Sequence, residues 1–133
     1  AGILRAGARM FAAQTRAQTV KVHVTLRKAY GFGSSVMAMN PYDEQTLSFG
    51  FPGATLGAMG ASGAGNAVGA DEATRAELHQ AENESSYRSA NGLSFDDLID
   101  PRDLRNVVIE GLAVSAQRRS GEATPVARTG ITP

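Results

Sequence analysis

Hydrophobic and polar positions alternate most cleanly from Val20 to Leu26. Val20, Val22, Val24 and Leu26 fall on one side, with Lys21, His23 and Thr25 on the other. A two-residue period is that of a strand. Before it, Leu4, Gly7, Ala8 and Phe11 follow the i, i+3, i+4, i+7 spacing of a helix, with Arg5, Arg9 and Arg16 on other faces. No Ser, Thr, Asp or Asn precedes that pattern to receive the free amides, so Ala1 is expected to be a cut end with more protein upstream. After the strand comes a Gly31-Phe32-Gly33 turn, and "SSVMAM" then reads as a short helix with Ser34 or Ser35 at its N-cap. "NPYDEQ" reads as a loop, "TLSFGF" as a second strand and "PGATLGAM" as a turn with a short strand.

Further on, "GASGAGNAV" is so rich in Gly and Ala that its backbone is expected to approach another segment closely. Residues 71–88 predict one polar helix, lying outside the core or covering a partner, because Leu78 is its only large apolar residue before Tyr87. The last helix is expected with Asp100 as N-cap and Pro101 as its first residue. Leu104, Val107, Val108 and Leu112 make its apolar stripe, and Arg118 and Arg119 suit its C-terminal end. Residues 120–133 read as a mobile tail. Strands alternating with helices predict an α/β domain.

Composition narrows the function classes. A chain of 133 residues, 42% hydrophobic and 20% charged, suits one globular domain. Thirteen basic residues balance thirteen acidic ones, which recommends neither a nucleic-acid nor a membrane partner. Cysteine is absent, removing disulfides and thiolate metal sites. No apolar run approaches the roughly 20 residues of a membrane span, and no signal-peptide pattern is present. A soluble, cytoplasmic protein is expected.

Several chemistries can be weighed on spacing. Gly63-x-Gly65-x-x-x-Gly69 is not the dinucleotide spacing, and no lysine follows a glycine-rich run as a phosphate loop requires. His23 and His79 lie on separate elements, so no metal site is expected; each reads as a polar-face residue. Ser34, Ser35 and Ser62 sit at turns, but nothing ties a histidine to any of them as a base. Asp96 and Asp97 read as an exposed turn. Gly31-Phe32-Gly33 has two readings: a plain turn, or successive N–H groups that can stabilise a developing oxyanion at a helix start.

The order of "GILRAGARM", "VKVHVTLRKAYGFG", "FPGATLGAMGASGAGNAV" and "SFDDLIDPRDLRNVVIEGL" resembles that in biotin-dependent acyl-CoA carboxyltransferases, the β subunits of propionyl-CoA and related carboxylases, over residues 2 to about 117. The resemblance implies a crotonase or ClpP-like spiral of ββα units. Residues 1–119 would form a partial C-terminal carboxyltransferase domain, the biotin-side part of an enzyme that moves a carboxyl group from carboxybiotin to the α-carbon of an acyl-CoA. It implies that the Phe32 and Gly33 amides form an oxyanion hole for the biotin ureido oxygen. Tyr30, Gly31, Ser34 and Ser35 would be substrate-binding, and Gly60, Ala61 and Gly63 would bind the cofactor. That cofactor would be biotin on a partner protein, with no metal. The implied partners are acyl-CoA, a biotin carboxyl carrier or biotin carboxylase subunit, an N-terminal carboxyltransferase domain and further copies in a homo-oligomer.

Four positions depart from the family pattern. Gly31-Phe32-Gly33 stands for a frequent Gly-Gly-Ala, Ser35 for an Asp near the acyl pocket, Ala6 for a His, and Phe51-Pro52-Gly53 for Trp-Pro-Thr. Two other expectations stand beside the first: an inactive fragment that serves only in assembly, and another crotonase-fold enzyme such as a hydratase or a hydrolase. The 133 residues alone are expected to lack turnover and to self-associate.

Overall fold

The alternating run yields the strand expected of it, and a second, unanticipated strand follows. Val22–Thr25 forms β1 and Lys28–Tyr30 forms β2, in separate sheets. Leu26, on the apolar side of the pattern, is 58% exposed because it lies in the bend where the chain passes from one sheet to the other. The computed structural model describes residues 2–17, 19–37 and 46–116. The expected loop at 40–45, the end of "SSVMAM", Arg118, Arg119 and the tail at 120–133 lie outside the described residues.

The helix before β1, α1 (Ile3–Arg16), starts at Gly2 with no side-chain cap, as its sequence implies. After β2 the chain enters α2 (Gly31–Val36) directly, with Tyr30 at the N-cap. This corrects the assignment of Ser34 or Ser35 as cap: both lie inside the helix, and Ser34 Oγ donates back to the Gly31 carbonyl at 2.7 Å. The helix can start three residues early because Gly31 adopts φ +59°, turning the chain sharply from strand into helix. The remaining strands are β3 (Leu47–Gly50), β4 (Thr55–Gly57) and β5 (Asp97–Leu98). Sheet order is β1-β3-β5 in one sheet and β2-β4 in the other, and every pairing is parallel.

"GASGAGNAV" forms a helix, α3 (Ala61–Ala67), and its expected close approach is present. A Cβ built on Gly65 would lie 3.1 Å from Arg75 Nη1. The Arg75 guanidinium closes the end of α3 by donating to Ala70 O at 3.0 Å and to Asn66 Oδ1 at 2.9 Å. The single helix expected over 71–88 is two, α4 (Glu72–Asn83) and α5 (Ser85–Asn91). Asp71 caps α4 by accepting from Thr74 N–H at 2.8 Å, and no residue of α4 is buried. The break near Glu84 lets α5 turn inward. Ser85 Oγ accepts from Leu56 N–H at 2.8 Å, and the fully buried Ser86 donates to Pro52 O at 2.8 Å.

The final helix, α6 (Leu104–Ala116), begins four residues after Asp100. Asp100 caps the preceding turn instead, accepting from Arg102 N–H at 2.8 Å while its carboxylate holds the Arg102 guanidinium. α6 packs a face of Leu104, Val107, Val108, Gly111 and Ser115, with Gly111 pressed on Leu47 of β3. Leu112 of the expected stripe points away, because the closest approach occurs at the small residues. The core between the sheets is small: Ala29, Ala54, Leu56 and Phe95, with Leu98 packed against them.

Candidate functional site

Parallel pairing places two glycine turns side by side. Tyr30 of β2 lies opposite Gly57 of β4, and each strand runs into a helix, α2 or α3. Residues 31–33 and 57–61, distant in sequence, therefore start two helices from one sheet end. Gly31 is held on two counts. Its φ is left-handed, and a Cβ there would lie 3.0 Å from Ala58 O.

Beside this turn, β1, β2 and α2 enclose a cleft of about 640 Å³. His23, Thr25, Lys28, Tyr30, Gly33 and Ser34 contribute its polar groups and backbone, and Met37 closes one side. The Phe32 and Gly33 amides belong to the first turn of α2, where no intrahelical acceptor exists. Among the described residues neither has a backbone acceptor in another element. A Cβ on Gly33 would meet nothing within 4 Å, so this backbone faces open space in the cleft. The Phe32 ring turns the other way, onto α1: a Cβ on Gly7 would fall 2.7 Å from its Cζ.

The remaining anticipated residues occupy defined places. The Tyr30 hydroxyl donates to the Glu82 carboxylate and lies 2.8 Å from Thr55 Oγ1, which must then be the donor to the phenol oxygen. Burial, followed by the Glu82 carboxylate, raises the Tyr30 pKa. Gly60 is the N-cap of α3, and the Ala61 N–H donates to Glu82 Oε1 at 3.1 Å. Gly63 is exposed. Ser35 Oγ lies 3.5 Å from the Gly31 carbonyl, beyond a good hydrogen bond.

His23 lines the cleft as a strand residue, with Nε2 2.8 Å from Thr25 Oγ1, and burial lowers its pKa. His79 is on α4, with Nδ1 3.4 Å from Glu82 Oε2. Ser34 and His23 share the cleft, yet each hydroxyl or ring bonds elsewhere, so no nucleophile–base pair is assembled. Asp96 and Asp97 are both exposed, as expected, and Asp96 Oδ2 accepts from Ser48 N–H at 2.7 Å while Asp97 belongs to β5. Among the described residues no group of three His, Asp or Glu could hold a metal ion, and no helix is long and apolar enough to cross a membrane.

Glu82 is the residue that sequence reasoning missed. Its carboxylate joins Tyr30, at the start of α2, to Ala61, at the start of α3. The Tyr30 hydrogen bond, then the Ala61 amide, hold its pKa below the ordinary glutamate value. The available signal was only its place on a polar helix, which periodicity reads as solvated surface.

Comparison with known proteins bears on the same residues. The family described as "Carboxyl transferase domain" matches residues 1–129. The methylmalonyl-CoA carboxyltransferase 12S subunit of Propionibacterium freudenreichii subsp. shermanii is 34% identical over 129 residues, covering 89% of this chain and 24% of that protein. The methylmalonyl-CoA decarboxylase subunit alpha of Veillonella parvula is 32% identical over 126 residues, with 92% and 24% covered. A crystal structure of the transcarboxylase 12S hexamer assembly, with hydrolysed methylmalonyl-coenzyme A bound, superposes with a TM-score of 0.77 at 34% identity, over 97% of this chain and 26% of that one. The β subunit of P. aeruginosa geranyl-CoA carboxylase superposes with a TM-score of 0.71 over 95% of this chain and 30% of that one; its 21% identity speaks for the fold alone. The chain spans about a quarter of the length of the curated relatives it matches.

Proposed function

Because this chain belongs to the carboxyl transferase domain family, we propose that it forms the biotin-side part of a carboxyltransferase. Its reaction moves a carboxyl group from carboxybiotin, borne by a partner protein, to the α-carbon of an acyl-CoA. The observation that carries the reading is Gly33, a first-turn residue of α2 that lines the cleft with open space where a side chain would stand, with the Phe32 amide next to it in the same turn.

The residues fit such a group. An amide pair at a helix start is a fixed donor set for a carbonyl-type oxygen, and no atom lies within 4 Å of where a Gly33 side chain would stand. Biotin, when bound, supplies the transferable carboxyl group and a ureido oxygen that becomes negative as that group leaves. The Phe32 and Gly33 N–H groups would meet the growing charge, each donor being worth about 3 kcal/mol of barrier. They titrate nowhere near neutral pH and need no reorganisation. Gly31 sets their direction through its left-handed turn, and Ser34 secures that turn through the Gly31 carbonyl. Tyr30, Gly31, Ser34 and Ser35 thus shape the site around the amides. On the α3 side the Ala61 amide is engaged by Glu82 and Ala61 is buried, leaving the half-buried Gly60 and the exposed Gly63 as the wall for the cofactor.

Binding can be tested without turnover. Adding biotin methyl ester to the intact protein should shift the amide resonances of Phe32 and Gly33 more than any others. Shifts centred on α5 or α6, with 31–34 unmoved, would refute the site.

The remaining partners follow from the same reading: acyl-CoA, a biotin carrier, an N-terminal carboxyltransferase domain and further copies of the chain. Self-association is supported by α6, where Ile109, Leu112 and Val114 are 49%, 47% and 56% exposed on a helix otherwise packed on β3. The Gly/Ala run, expected to share that role, is engaged by Arg75. Light scattering on the intact protein should give a mass of two chains or more at high concentration, and a monomer there would contradict it.

A further inference from the structure

We propose that Glu82 is a positioning residue that sets the spacing between the two turns starting α2 and α3. It acts through Tyr30 and the Ala61 amide and touches no reactant; its bearing on transfer rests on the function proposed above. One carboxylate oxygen, Oε1, receives both the Tyr30 hydroxyl and the Ala61 N–H, so a single atom fixes two donors from different turns. A Cβ on Gly60 would lie 3.3 Å from that oxygen and 3.6 Å from the Tyr30 ring, so the three groups are already in contact. The Thr55 hydroxyl, on β4, completes the phenol's hydrogen bonding and ties it to the strand that leads to Ala61.

Glu82 is itself anchored. Ser85 Oγ donates to the Glu82 carbonyl at 2.5 Å and accepts from Leu56 N–H, and Leu56 pairs in register with Ala29, the residue before Tyr30. The backbone carrying the carboxylate is thereby referenced to both strands of the sheet. A surface glutamate without such anchoring would contribute little, since ordering a long side chain costs rotamer entropy. Here the ordering is supplied by the fold, and the carboxylate needs no proton of its own to accept from two donors.

The chemistry of the side chain decides the test. Glutamine keeps an oxygen that can accept from both donors, whereas leucine keeps bulk and removes the acceptor. In the intact protein, Glu82→Leu should speed hydrogen exchange of the Ala61 amide by about tenfold or more, as that N–H loses its acceptor. The amide resonances of Phe32 and Gly33 should shift with it as their turn moves, and Glu82→Gln should return the Ala61 rate and both resonances towards the parent values. For transfer, Glu82→Leu should lower kcat with little change in KM for acyl-CoA, by up to about a hundredfold, the cost of a misplacement of about 1 Å. Glu82→Gln should restore it. Tyr30→Phe, which removes only one arm and leaves the ring in place, is the milder variant should leucine prevent folding. It should shift the Phe32 and Gly33 amide resonances while leaving exchange at Ala61 unchanged. Unchanged exchange at Ala61 in Glu82→Leu, failure of glutamine to restore it, or faster exchange with an unchanged kcat would each overturn the positioning role. Exchange is read without any transfer assay, so it judges the clamp even if the amide site proves to serve another reaction.

Discussion

In the assembled enzyme of the function proposed above, Gly33→Val is expected to lower carboxyl transfer by about a hundredfold, the loss of one oxyanion donor, and to leave the melting temperature unchanged. The two halves of that result come from different facts. Stability should hold because Gly33 is exposed, and a Cβ built there meets no atom within 4 Å. Activity should fall because, on the proposed reading, the ligand approaches the Phe32 and Gly33 amides through that open space, and a branched side chain would stand in it. Steady-state kinetics and thermal melts on the same protein check it. Full activity in Gly33→Val would end the amide-hole reading. Phe32→Ala is the companion control, since it preserves the amide; its cost should appear in the α1–α2 contact, where the ring lies over Gly7.

Gly31→Ala should behave differently, lowering stability and activity together. At φ +59° an L-residue pays about 1–2 kcal/mol for the left-handed conformation. Its Cβ would also press on Ala58 O at 3.0 Å, a backbone atom that cannot rotate away. Relief requires either β2–β4 to separate or the first turn of α2 to unwind, and both redirect the Phe32 and Gly33 amides. We expect a loss of about 2 kcal/mol in denaturant melts, with transfer reduced even where the protein remains folded. A variant as stable as the parent would mean that the turn tolerates a Cβ, and the strain argument would fail. The contrast between Gly31 and Gly33 separates a position required by the chain's own path from one proposed to be kept open for a ligand.

Much of the local structure was legible. The helix over Ile3–Arg16, the strands at 22–25 and 47–50 and the final helix follow from period and turn residues. Errors gathered where local signals were ambiguous. The seven-residue alternation does form one strand, but β2 after it was missed, since three residues are too few to show a period. Two serines after Gly-x-Gly looked like caps, since capping preference cannot foresee a left-handed Gly31 starting the helix earlier. Asp100 and Pro101 marked a turn that precedes α6 rather than its first residues.

By itself the sequence determined the α/β class and the place of the glycine turn, because each rests on residues adjacent in the chain or spaced by a regular period, and it carried the family through the order of its motifs. Only the tertiary structure decided which turn meets which. Tyr30 and Glu82 are 52 residues apart, and parallel pairing of β2 with β4 is what brings the starts of α2 and α3 under one carboxylate. No periodicity carries that information. A polar residue on an exposed helix scores the same whether its carboxylate meets water or joins two turns, and the difference is a matter of geometry set by the packing of α5 onto β4.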